Sequence, residues 1–467
     1  MLTWDTLRIL RLTGRIGATV LSIGAASLCA RSGGAGLAQL PRTSPAQAAS
    51  VSRHTHASSA DAFVDSIGVN THFSYTDTVY GRYLTTPAPS GYTVVSALRA
   101  LGIRHIRDGS MNTAAGALRC SVYRQVFANG ADVDAVIADR ATTADVADMA
   151  RCLGPALFAF EGPNELDNGM HYDSRFAAQD VAEMKLLRAA RGSAYPLQIK
   201  IFGPTTVVAQ SNIALAAAEG GAIASYIDYS SGHVYFGNHN PESTGWGGDI
   251  GFGVYGALMT DIQSAQSVAP GKPYVTTETG YTDSSDDPAH LDPAVKSAYL
   301  LRDLFEHRLR GARYTYIYEL AREHGSWGIM DETLTPLPAY AAIQNTISIL
   351  ADPGRAMLPH RLRYTLAAPS DVQSLLLGKR DGSYWLVLWQ TDSLADPRTG
   401  QRAYVPTASA DVSFAVSPTA LALFTIEPTT GRAELRRLPR AASIAIRVSG
   451  MPEILQIGPS RVPVLHP

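Results

Sequence analysis

The sequence predicts an α/β fold, a (β/α)8 TIM barrel followed by a C-terminal all-β sandwich domain. Three observations predict it. From Phe63 onward, short apolar strands alternate with amphipathic helical stretches, the pattern of a parallel sheet with helical crossovers. Eight such units fit into about 290 residues, near the usual barrel length of about 250 with room for insertions. After Ala351-Asp352-Pro353-Gly354 the helical patterns stop and strand-like runs alternate with turn residues.

Along the chain, Arg8, Arg11 and Arg15 precede a short apolar stretch over 18–30, a basic head and apolar run of the secretory type. Residues 1–30 are therefore expected to be a signal peptide and the protein to be secreted or periplasmic. Both Gly36-Leu37-Ala38 and Ala46-Gln47-Ala48 have the small-x-small pattern for cleavage, and Leu28 before Cys29 disfavours a lipid anchor. No apolar run reaches the roughly 18 to 20 residues of a bilayer span, so no stable membrane span is expected. Residues 31–60, rich in Ala, Ser, Pro and Gly, read as a linker. The catalytic barrel is expected over 61–350, with strands at 66–72, 105–108, 132–137, 156–160, 198–202, 229–235, 274–278 and 314–319. Helical patterns such as Val94-Val95-Leu98-Leu101 and Val295-Ala298-Leu301-Phe305 lie between them. A doubly wound open sheet is disfavoured, because no G-x-G-x-x-G follows the first strand. The sandwich is expected over 351–467, with runs at 372–379 and 384–390 flanking the hairpin signal Arg380-Asp381-Gly382-Ser383, and further runs at 412–416, 421–426, 443–448 and 454–457.

Composition narrows the function. The 467 residues hold 39 basic and 41 acidic side chains, a net charge of −2, without the basic excess of a nucleic-acid binder. An apolar content of 46% excludes disorder throughout. Three cysteines make neither a disulfide scaffold nor a zinc site at the usual spacings. With the leader removed, Cys120 and Cys152 remain, either paired in an oxidising compartment or buried as separate thiols.

Barrel active sites form at the C-terminal ends of the strands. The fourth strand runs into Glu161-Gly162-Pro163-Asn164-Glu165 and the seventh into Glu278-Thr279-Gly280-Tyr281. Fourth and seventh strands stand on opposite sides of an eight-stranded barrel, so their carboxylates can face one another. Glycosidic cleavage needs such a pair, one acid to protonate the leaving oxygen and one carboxylate to attack or to activate water.

These residues resemble clan A of the glycoside hydrolases, the retaining (β/α)8 enzymes, closest in character to family 39 and family 5-like members with a C-terminal β-domain. The resemblance covers about 63–350. It rests on Asn164-Glu165, Glu278, Arg107 in Ile106-Arg107-Asp108, His233-Val234-Tyr235, and Trp327 with Pro336-Leu337-Pro338-Ala339-Tyr340. It implies Glu165 as acid/base, Glu278 as nucleophile and Asn164 as donor to the substrate 2-hydroxyl. Arg107 would keep Glu278 ionised, and a negative neighbour about 5 Å away would raise the Glu165 pKa. Tyr235 is expected to orient the nucleophile and His233 to contact the site. Glu161 reads as lying beneath the mouth, bonded to backbone. Sugars stack on flat apolar faces, which nominates Trp327 and, in the glycine-rich segment 236–255, Trp246; Tyr281 and Glu319 are lesser candidates.

The expected function is retaining hydrolysis of an extracellular or cell-envelope oligo- or polysaccharide, with no metal and no cofactor and with the oligomeric state open. Transglycosylation uses the same residues. A non-catalytic carbohydrate-binding barrel is a further alternative, against which both glutamates and Arg107 count. A metal-dependent barrel hydrolase would want His-x-His on the first strand, whereas His54-Thr55-His56 precedes the barrel.

Overall fold

The computed structural model describes residues 49–466 except 110–116, 170–174, 208–210, 246–256, 284–289, 324, 355–360, 397–398, 404, 459–462 and 464. Two strands come first, β1 (Ala49–His56) and β2 (Ser58–Ser59). Eight barrel strands follow: β3 (Ile67–Thr71), β4 (His105–Gly109), β5 (Asp132–Val136), β6 (Leu157–Glu161), β7 (Lys200–Phe202), β8 (Ser230–Tyr235), β9 (Tyr274–Gly280) and β10 (Thr315–Ile317). They pair in parallel, in chain order, from β3 to β7 and from β8 to β10, and β10 returns to β3. A bridge between Phe202 and Tyr229 joins β7 to β8. Each strand falls close to where the sequence places it, because a parallel strand covered by helices is buried on both faces; all seven residues of β9 are buried.

The barrel interior is layered. In one cluster, Phe158, Phe202, Tyr314 and Tyr316 pack with Ala159 and Val275. Gly68 makes room there, since a Cβ on it would lie 2.3 Å from the Tyr316 ring. Arg107, Asp134 and Glu161 are buried as well. The catalytic candidates stand at the mouth.

Helices cover the outside, and their ends are capped in ways visible in the sequence. Thr93 and Thr142 close capping boxes with Ser96 and Asp145, and Asp292 caps the helix Pro293–Leu309 with proline in its first turn. Such caps satisfy amide groups that have no partner within the helix.

The remaining strands are β11 (Arg361–Ala368), β12 (Val372–Gly378), β13 (Tyr384–Gln390), β14 (Ala408–Phe414), β15 (Leu421–Ile426), β16 (Ala433–Leu438), β17 (Ser443–Val448) and β18 (Glu453–Ile457). They form sheets of order β1-β11-β14-β17 and β16-β15-β18-β13-β12-β2, with Leu366, Leu386, Leu388, Val412, Leu423 and Leu455 in the core between them. The other face of the second sheet packs on the barrel. On β13, Leu386 and Leu388 enter the sandwich core, while Trp385, Val387 and Trp389 join the barrel core, and Trp389 stacks on Phe305 at 5.7 Å.

One expectation needs correction. Residues 49–59, read as linker, are strands of the sandwich: β1 runs antiparallel to β11, and β2 parallel to β12. β1 lies at the edge of its sheet, and its sequence Ala-Ser-Val-Ser-Arg-His-Thr-His contains no apolar run by which to recognise a strand. The His54-Thr55-His56 motif therefore belongs to the sandwich, and His56 Nε2 accepts from Arg361 Nε at 2.6 Å. Residues 1–48, including the expected leader, lie outside the described residues.

Cys120 and Cys152 form a disulfide between the helices that precede and follow β5. The bridge spans 32 positions, and chain entropy alone assigns such a loop about 3 to 4 kcal/mol. Replacing both with serine is expected to lower the thermal unfolding midpoint by several degrees. An unchanged midpoint would show that the bridge contributes nothing to stability.

Candidate active site

Six sequence-nominated residues meet at the C-terminal mouth. On β8, His233 and Tyr235 share a face because strand side chains alternate, and Val234 between them is buried in the core. The β8–β9 register shifts between Gly232 and His233, which sets His233 opposite Glu278. Tyr235 OH donates to Glu278 Oε2 at 2.7 Å. His233 Nδ1 lies 2.8 Å from Glu165 Oε1 and 3.6 Å from Glu278 Oε2, between the two carboxylates.

Glu165 sits in the turn after β6. Its amide donates to Thr205 O at 3.0 Å, and its φ of 50° lies in the left-handed region, which a residue with a Cβ adopts only where its surroundings hold it. Asn164 bridges to Thr205 beside it. This turn directs the glutamate side chain toward β8 and β9 across the mouth.

Arg107 organises the cluster. Its Nη1 donates to Glu278 Oε1 at 2.5 Å and to Asn70 Oδ1 at 2.9 Å, while its Nη2 donates to Asn164 Oδ1 at 2.7 Å. With its carbonyl oxygen held by Arg107, the Asn164 amide is oriented to present its NH2 elsewhere. Glu161 accepts from Arg107 Nε and Nη2 at 2.7 and 2.9 Å; it lies beneath the mouth as expected, but its partner is the guanidinium, not backbone. Asn70 was missed in the sequence. It donates to Thr277 O at 3.1 Å, and its only signal is a polar residue breaking the apolar run of β3.

Electrostatics divide the roles. Burial works to raise the Glu278 carboxyl, but His233, Arg107 and Tyr235 together outweigh it and hold it below the usual carboxylate range. Burial would lower His233, and Glu278 and Glu165 more than reverse this, so its pKa is raised. Tyr235 is pushed well up by burial and by Glu278, and it stays a hydrogen-bond donor.

Trp327 is half-buried and meets Tyr235 edge-on, with ring centroids 5.1 Å apart. Trp246 lies outside the described residues. Tyr281 is fully buried and stacks on Phe236, away from the role of a cleft residue. Glu319 is buried too, accepting from Tyr80 OH at 3.3 Å and lying 3.8 Å from His72 Nε2.

Two trios among the described residues bring ligand-type atoms within 4.8 Å of one another: Glu165, His233 and Glu278, and His72, Glu319 and Glu323. In the first, the Arg107 cation already pairs with Glu278 and opposes a dication. In the second, burial and then the other acid push Glu319 well up, and burial with Asp108 and Asp77 pushes Glu323 to about 8.

Fold and mouth together define a (β/α)8 barrel with two glutamates facing across its open end and a β-sandwich fixed to its side. No protein-family model and no curated protein sequence matches this chain. Solved structures share the fold. A family 39 glycoside hydrolase from the gut symbiont Bacteroides cellulosilyticus WH2 is 15% identical at TM-score 0.56, over 85% of this chain and 82% of that one. An arabinofuranosidase is 10% identical at TM-score 0.59, over 86% and 98%. The family 51 α-L-arabinofuranosidase of Thermotoga petrophila RKU-1 is 10% identical at TM-score 0.57, also over 86% and 98%. In these relatives the barrel and the β-domain recur together.

Proposed function

We propose that the protein is a retaining glycoside hydrolase that cleaves an oligo- or polysaccharide outside the cytoplasm by double displacement. The observation that carries this reading is the closeness of the two acids: one imidazole nitrogen, His233 Nδ1, lies 2.8 Å from Glu165 Oε1 and 3.6 Å from Glu278 Oε2, and an oxygen of each acid lies within 4.8 Å of the other. Retaining enzymes hold their carboxyls about 5 to 5.5 Å apart, whereas inverting enzymes leave about 6.5 to 9.5 Å for a water molecule. Glu278, kept anionic by Arg107, His233 and Tyr235, attacks the anomeric carbon. Glu165 gives its proton to the leaving oxygen and then takes one from the incoming water. Asn164 donates to the 2-hydroxyl, and Trp327 offers an apolar face beside it. The disulfide supports an oxidising compartment.

Screening purified protein against polysaccharides and aryl glycosides supplies a substrate, and proton NMR of the first-formed sugar then tests the mechanism. The original anomeric configuration is expected. Inversion would refute the nucleophile assignment. Adding an acceptor sugar to the same reaction distinguishes hydrolysis from transglycosylation, since the covalent intermediate is then captured as a new glycoside.

A further inference from the structure

Two buried acids beneath the mouth take no part in that mechanism. Arg107 uses all five of its N–H groups: Nε and one on Nη2 go to Glu161, the second on Nη2 to Asn164, and those on Nη1 to Asn70 and Glu278. One guanidinium thus faces two carboxylates, Glu161 and Glu278. On the neighbouring strand β5, Asp134 pairs in register with Arg107; it is 0% exposed, and neither of its oxygens has a hydrogen-bond partner within bonding geometry. Burial, reinforced by the negative Glu161 beside it, pushes the Asp134 carboxyl well above the usual range. A protonated Asp134 is the state in which that site carries least charge.

The reaction removes one of these charges. When Glu278 attacks, its oxygen becomes an ester oxygen, the bond to the leaving group breaks, and the leaving oxygen takes its proton from Glu165. For the lifetime of the glycosyl-enzyme, Arg107 has lost the anion at its Nη1. A buried guanidinium without a counter-charge is costly.

We propose that Glu161 is the positioning residue of the nucleophile: it is the permanent counter-charge that keeps Arg107 balanced while Glu278 is esterified, with buried Asp134 behind it as the acid that can ionise in its place. This rests on the reading of Glu278 as nucleophile. The same arrangement divides the guanidinium between two anions, so that Glu278 is held ionised without being locked into a closed ion pair and keeps its nucleophilicity.

A titration that needs no substrate tests it, so that a failed glycosidase reading and a failed inference stay distinguishable. The protein is labelled with carboxyl-13C glutamate, and the Glu278 signal is assigned by its loss in Glu278→Gln. Facing Glu278 are Arg107 from β4, His233 and Tyr235 from β8, Glu165 after β6, Tyr75 after β3, and Tyr318 and Glu323 after β10; Asp134 and Tyr316 face Glu161. Removing a nearby negative charge favours the ionised form of Glu278. In Glu161→Gln its titration is therefore expected to move to lower pH by about one unit. Asp134→Asn alone should leave it in place, and the double variant should move it further than Glu161→Gln, because Asp134 can no longer ionise in Glu161's stead. With a substrate in hand, the acid limb of the kcat/KM profile should follow the same shifts, and kcat should fall with little change in KM. An unmoved or raised titration in a folded Glu161→Gln protein overturns the proposal. So does a downward shift in Asp134→Asn, which decides the matter even if Glu161→Gln does not fold.

Discussion

Glu278→Gly is expected to lower turnover by on the order of 10⁶, the scale seen when a covalent nucleophile is removed, while fold and sugar binding persist. Persistence is expected because the side chain contributes at the mouth, where Tyr235, His233 and Arg107 remain held by their own strands. The vacated volume also makes the assignment testable by product. Azide occupying that space can attack an activated aryl glycoside from the nucleophile's side, giving a glycosyl azide of inverted configuration. Wild-type enzyme should release sugar of the original configuration. A Glu278→Gly protein that retains more than a hundredth of wild-type turnover without azide would remove Glu278 from the mechanism.

Glu165→Ala is expected to act selectively. Substrates with poor leaving groups need the proton that Glu165 supplies, so their turnover should fall about 10² to 10⁴-fold. Aryl glycosides with acidic phenols leave unaided and should lose far less in the first step. Azide has a different outcome here: it intercepts the glycosyl-enzyme on Glu278 and should give the azide of retained configuration. The two variants thus yield opposite anomers from one reagent. Equal losses on good and poor leaving groups would sink the acid role. Because His233 Nδ1 bonds Glu165 and also approaches Glu278, the loss of Glu165 removes one of the two groups that raise the His233 pKa. A histidine titration by NMR should show His233 moving down in this variant.

The sequence by itself determined the eight barrel strands and the residues at their ends. A parallel strand buried on both faces has no polar face to show, so runs such as Tyr274-Val275-Thr276-Thr277 announce it locally, and the polar residue just beyond is a mouth residue by geometry. That is why the strand-end glutamates Glu165 and Glu278 stand out from the sequence alone, while Arg107, His233 and Tyr235 are singled out by the resemblance to clan A glycoside hydrolases. Other features needed the folded chain. β16 is an edge strand with no buried residue, and β1 joins a sheet whose partner strand lies some 300 residues further on, as its Ala49 to Ala368 pairing shows. The choice between a Cys120–Cys152 bridge and two separate thiols depended on how two helices pack, not on spacing. Asn70 reaches Thr277 across 207 positions, and the four side chains that accept from Arg107 come from β3, β6, β9 and the turn after β6. Local pattern encodes which face of a strand is apolar. It carries no record of which polar groups the closure of the barrel brings within hydrogen-bonding distance, because that depends on the relative register of strands far apart in the chain, and only the closed tertiary structure decides it.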